Sequence, residues 1–166
     1  MESKVKYGQE IGINLIKIAK KLLDNQDLCK LLVNTDLDPL NPNTHPNNID
    51  GISLLHKNIR VVPLVTAEDQ TTESKIVLLF DEGAVNRSNS DNENLSLLIN
   101  IYCPFKEWSI TGDTLRPFAN MSEIGKSIQD KRINGLGEIV YRGFNASTLT
   151  EEMGSYMLRV AINAFS

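Results

Sequence analysis

Asn94-Leu95-Ser96-Leu97-Leu98-Ile99-Asn100-Ile101-Tyr102-Cys103 is the stretch whose reading decides the fold. Leu95, Leu97, Ile99, Ile101 and Cys103 alternate with Ser96, Leu98, Asn100 and Tyr102, and a period of two places the first set on one face of a β-strand. A central strand with one buried face is therefore predicted. Upstream, Arg60 to Val65 and Lys75 to Phe80 are short β-branched and aliphatic runs, and Pro63 makes the first an edge or bulged strand because it has no N–H to donate. The polar residues 81–94 between Phe80 and Leu95 read as a long hairpin loop. Downstream, Asn134-Gly135 is a turn dipeptide, Leu136 to Phe144 reads as a strand, and Ser147 to Gly154 as a turn. Tyr156, Leu158, Val160, Ile162 and Ala164 then alternate with Met157, Arg159, Ala161 and Asn163, which predicts a last strand.

Two stretches carry helical spacing instead. Ile11, Leu15, Ile18, Ala19, Leu22 and Leu23 recur at intervals of three and four, with Lys17, Lys20 and Lys21 on a solvated face. Asp24-Asn25-Gln26-Asp27 interrupts this pattern and offers N-cap side chains to a short continuation through Leu28, Leu31 and Leu32; a bent pair and a break both fit. Leu115, Phe118, Met121, Ile124 and Ile128 define a further helix running to about Arg132, with Pro117 in its first turn. The expected fold is α+β in a single domain over residues 1–166: a mainly antiparallel sheet of about five strands flanked by two helices.

Residues 34–58 differ in character. Pro39, Pro42 and Pro46 stand among many Asn and Asp, and only a few apolar residues, Ile49, Ile52, Leu54 and Leu55 among them, interrupt. Proline excludes helix here, and a loop this long is either a mobile connection or functional. The functional reading is an extended arm that anchors on a neighbouring subunit through Ile49, Ile52, Leu54 and Leu55, so that its removal leaves the domain folded.

Composition narrows the function classes. With 41% hydrophobic and 23% charged residues in 166, the chain is a folding one. Its 17 Lys and Arg against 21 Asp and Glu give a net charge of -4, the wrong sign for gripping phosphates. Cys29 and Cys103 sit among apolar neighbours and form no CxxC pair, which fits small core residues in a reducing cytoplasm better than a disulfide or a nucleophile. The N-terminus lacks the apolar stretch of a signal peptide, and no segment approaches the ~20 apolar residues of a membrane span.

Catalytic and metal sites are not expected. His45 and His56 both fall in the proline-rich segment, where a general base would not be held in place. Asp36, Asp38 and Asp50 with His45 lack the spacing of a calcium or zinc site and read as turn residues. Gly135-Leu136-Gly137 lacks the third glycine of a nucleotide-binding fingerprint. The expectation is a non-enzymatic protein without cofactor or metal.

The chain as a whole carries a resemblance. Asn25-Gln26-Asp27-Leu28-Cys29-Lys30-Leu31-Leu32, then Asp38-Pro39-Leu40, then Asn58-Ile59-Arg60-Val61-Val62-Pro63 resemble neck proteins of tailed bacteriophages. The aromatic pair around Phe105 to Trp108, Leu115-Arg116-Pro117 opening a helix, and Gly135-Leu136-Gly137 beginning a strand are similar to tail-terminator, or tail-completion, proteins. The resemblance implies a subunit of a ring, usually six-fold, that caps the tail tube and joins it to the head connector. It implies the tail tube protein, head connector and adaptor proteins and further copies of the chain itself as partners, assembly in the host cytoplasm, and a final place in the virion. DNA passes through such a ring without specific binding, and no membrane is involved. Under that reading Asp81, Glu82, Asp91 and Glu93 suit a lumen loop that repels passing DNA. Head-completion or adaptor roles, and a non-viral cytoplasmic protein-binding module, are the alternatives.

Overall fold

The computed structural model describes residues 2–62, 73–85, 93–133, 136–148 and 150–163. Helix α1 (Glu2–Leu23) is followed at once by helix α2 (Gln26–Val33). The break between them has a local cause. Asn25 is extended, and its side chain accepts a hydrogen bond from the Leu28 N–H at 3.1 Å, so α2 starts afresh with its own cap. The same Asn25 amide donates to the Glu123 carbonyl, the Glu123 carboxylate and the Ser127 hydroxyl at 3.0–3.1 Å, which fastens the start of α2 to the third helix.

After the loop and a single helical turn (Gly51–Leu54) come strands β1 (Ile59–Arg60), β2 (Lys75–Val85) and β3 (Glu93–Pro104). A small two-stranded ribbon, β4 (Ser109–Ile110) with β5 (Thr114–Leu115), leads into α3 (Arg116–Ile128). The chain ends in β6 (Arg132–Ile133), β7 (Gly137–Thr148) and β8 (Met153–Asn163). The main sheet runs β1-β2-β3-β8-β7-β6 and is antiparallel except where β1 meets β2. The fold is α+β, with the expected sheet built from four long strands and a two-residue strand at each edge.

The register of β3 is the one its alternation predicts. Leu97, Ile99, Ile101 and Cys103 are fully buried, and Leu97 and Ile99 lie opposite Val160 and Leu158 of β8 in the same core. Helix α1 contributes Leu15, Ile18, Ala19, Leu22 and Leu23 to this core, and α3 contributes Ile124 and Ile128.

Four expectations need correction. Three helices, not two, occur among the described residues, because the Asn25 cap separates α1 from α2. Strand β2 does not stop at Phe80 but continues to Val85, since ladder hydrogen bonds are made by the backbone and are indifferent to the polar side chains of residues 81–82. Strand β7 likewise runs past Phe144 to Thr148. Helix α3 ends at Ile128 rather than near Arg132: Gln129 is extended, and Asp130 turns to a positive φ of 54° with its N–H on the Ile139 carbonyl at 3.0 Å. Of the expected first strand, Ile59 and Arg60 form β1, at the sheet edge, and residues 63–65 lie outside the described residues, as does Ala164.

Candidate assembly surface

The polar centre of the molecule is Arg116, at the start of α3 and wholly buried. Its guanidinium donates to four carbonyls: Glu107 at 2.8 Å, and Leu31, Asn34 and Asp36 at 2.7 Å. Three of these carbonyls belong to the end of α2 and the segment just after it, where helix carbonyls have lost their intrahelical donors. One cation thus fixes the exit of α2 to the entry of α3. Burial lowers the Arg116 pKa and raises that of Glu107, while the attraction between the two charges opposes both shifts. Cys103 lies in the same buried polar cluster, accepting from the Asn120 amide at 3.6 Å.

This cluster is organised for cohesion. Burial pushes the Cys103 thiol up to about 12 and the Cys29 thiol up to about 11, which keeps both protonated near neutrality. His45 and Asp36 meet at 2.7 Å and tie the two ends of a loop together. His56 takes a positive φ of 67° in the turn before β1. Among the described residues no group of three His, Cys, Asp or Glu is placed to hold a metal.

The segment 34–58 is fastened to its own domain at both of its ends, and the residues between are mostly exposed. Asn34 donates to the Pro39 carbonyl, and the Thr111 N–H and hydroxyl both reach the Leu37 carbonyl at 2.7 Å. Gln26 brackets Ile49, accepting from its N–H and donating to its carbonyl. Gly51 comes so close to the Leu23 carbonyl that a Cβ would lie 2.5 Å from it. The four proposed anchors therefore part company. Leu54 is a core residue at 4% exposure, Ile49 and Leu55 pack half-buried against the same core, and Ile52 alone projects, at 59%. Ile52 rims a cleft of about 410 Å³ with Lys20, Asp24 and Gln26.

Of the four acids assigned to a loop, Asp81 and Glu82 lie on β2 and Glu93 on β3, while Asp91 falls outside the described residues. Asp81 is the extra residue of a β-bulge: Phe80 pairs with Leu97 and Glu82 with Ser96. The other flank of the sheet has the same device. On β7, Tyr141 pairs with Val160 and Gly143 with Arg159, leaving Arg142 as the extra residue. Both bulge residues are exposed, and neither makes an ion pair among the described residues.

These bulged strands are the long outer strands of the sheet. Strand β1 covers β2 only at Ile76 and Val77, and β6 covers β7 only at Gly137 and Glu138. Among the described residues, no strand pairs with the outer edges of β2 over 78–85 or of β7 over 141–148.

An aromatic row borders the β7 edge. Phe105 stacks at 5.2 Å on Trp108, Trp108 meets Tyr156 at 6.2 Å, and Tyr156 meets Phe118 at 4.9 Å and Phe144 at 6.0 Å. Gly154 makes room for it, since a Cβ there would sit 2.7 Å from the Trp108 ring and 2.8 Å from that of Phe105. Phe144 stays 56% exposed, and Phe105 and Phe118 are also exposed. Sequence reasoning noted the Phe105–Trp108 pair but missed Phe118 and Phe144. It counted the first as a core residue of α3 and the second as the end of a strand, and only the sheet brings them together.

A protein-family comparison matches residues 25–162, which spans α2 through nearly all of β8. The chain belongs to the YomW family. This is a phage-like family, which agrees with the phage resemblance at that level and carries no tail-terminator assignment. Comparison with curated proteins gives no significant match. The YomW match takes in the Arg116 node, both bulges and the aromatic row, and leaves out the whole of α1.

Proposed function

We propose that this chain is a structural, non-enzymatic virion subunit that assembles with copies of itself into a ring at the head-tail junction, ending the tail tube and joining it to the head connector. The observation that carries the reading is a sheet with a long outer edge on each flank to which no strand pairs among the described residues, one of them beside an exposed aromatic row. Unpaired strand edges are normally covered by other chains or guarded, and a small domain with two of them is suited to repeated side-by-side assembly. Membership of a phage-like family and the resemblance to neck proteins supply the setting. A net charge of -4 suits a wall past which DNA slides without sticking.

The test is a null allele in a phage that encodes the chain, examined by electron microscopy together with immunogold labelling of intact particles. A terminator predicts label at the neck and, in the null, tails of irregular length beside unjoined heads. Tails of normal length with heads that lose their DNA would favour the head-completion role instead. Intact infectious particles that never contain the chain would sink both.

A further inference from the structure

Two features of the sheet are independent in sequence but matched in space. The long outer strands each break register at one bulge, and the residue pushed out is an acid, Asp81, on β2 and a base, Arg142, on β7. Both bulges adjoin the stretches that no described strand pairs with, 78–85 on β2 and 141–148 on β7. The uncovered stretches are also at opposite ends of the sheet. In the antiparallel ladder, β1 caps the end of β2 that lies near Tyr102 and Ser155, whereas β6 caps the end of β7 that lies near Asn163.

We infer that the occupant of the β7 edge is the β2 edge of a second copy of this chain, joined head to tail, with Asp81 of one copy facing Arg142 of the next. Charge selects this pairing from the three available. Two β2 edges would oppose Asp81 to Asp81, and two β7 edges would oppose Arg142 to Arg142; only the mixed pair brings opposite charges together. A mixed pair is heterologous, so it propagates into a ring or a filament and cannot stop at a two-fold dimer. Side-chain placement agrees. Phe80 lies opposite Leu97 and Phe144 opposite Leu158, both on the helix-covered face, so continuing the sheet puts Phe80 of one copy on the same face as the exposed Phe144 of its neighbour. The competing reading is that charged bulges only guard edges against aggregation.

The inference deepens the ring-subunit reading and rests on it. Its test is charge exchange on the full chain, read by sedimentation velocity and mass photometry across a concentration series at low and high salt, with circular dichroism to confirm folding. Wild type should form oligomers. Asp81→Arg alone and Arg142→Asp alone should each weaken association by roughly 3- to 10-fold at low salt, with the difference shrinking at high salt. Mixing the two variants should restore it, because every contact in an alternating assembly again joins opposite charges. If either exchange disturbs its bulge, the neutral changes Asp81→Asn and Arg142→Gln supply the same comparison by loss. A wild-type chain that stays monomeric, oligomers indifferent to all four changes, or variants that merely aggregate would overturn the pairing. A monomeric chain that is nonetheless present in particles removes this contact and leaves the neck reading standing. Charge-dependent oligomers of a chain absent from particles do the reverse.

Discussion

Cys103 and Arg116 show how burial and its neighbours decide what a side chain does. Cysteine in an alternating strand reads as a small core residue, and its thiol, raised to about 12 by burial, behaves as one. Neither thiol should react with a disulfide reagent at pH 8 in the native protein, and both should react after denaturation; fast native labelling of Cys103 would mean the Arg116 cluster is open to solvent. Glu107 makes the matching pH statement. Its pKa is raised, chiefly by burial, so the folded state holds its proton above the pH at which the unfolded chain loses it, and stability declines as pH rises through that window. The melting temperature of Glu107→Gln relative to wild type should therefore climb as pH rises through and just above the ordinary glutamate range. A difference that does not change with pH would place the carboxylate in water. Gly154 offers a spectroscopic check: Gly154→Ala should push the single tryptophan, Trp108, off β8 and red-shift its emission.

At the level of elements, the segment 34–58 is where sequence and structure diverge most. Its prolines and asparagines correctly exclude helix over most of it, yet they say nothing about whether an irregular chain is free or pinned. Pinning here comes from distant groups: Arg116 on the Asp36 carbonyl, Thr111 on the Leu37 carbonyl, and the α1–sheet core that receives Leu54. Leu54→Ala should cost about 2–5 kcal/mol in chemical denaturation, as for a buried leucine, whereas Ile52→Ala should leave stability nearly unchanged. Equal effects would return Leu54 to the surface. Strand β3 was legible because the alternation of its buried and half-buried faces is itself a sequence pattern. Leu97→Ala or Ile101→Ala should cost a similar amount, and Ser96→Ala little.

For the whole molecule, the sum of charge decides more than any patch. A net charge of -4 predicts no retention of duplex DNA in a gel-shift assay at physiological ionic strength. Retention that falls steeply with added salt would instead reveal a basic surface in contact with phosphates, and would count against a wall that DNA passes freely. The same assay on any oligomers that form is the stricter one, because the proposed Asp81–Arg142 contact would withdraw one charge of each sign and leave the balance as it was.

The α+β class, the central strand and its buried face, the flanking helices and the core character of both cysteines followed from the sequence alone. Each rests on a periodicity or a local residue preference, and such signals are written along the chain. Tertiary structure alone decided that Arg116 is buried on four carbonyls, that Leu54 belongs to the core, that Phe118 meets Tyr156 and Phe144, and that Asp81 and Arg142 stand at bulges on opposite edges. Their partners lie tens of residues away, and which strand ends a sheet is a property of strand order that no local pattern encodes.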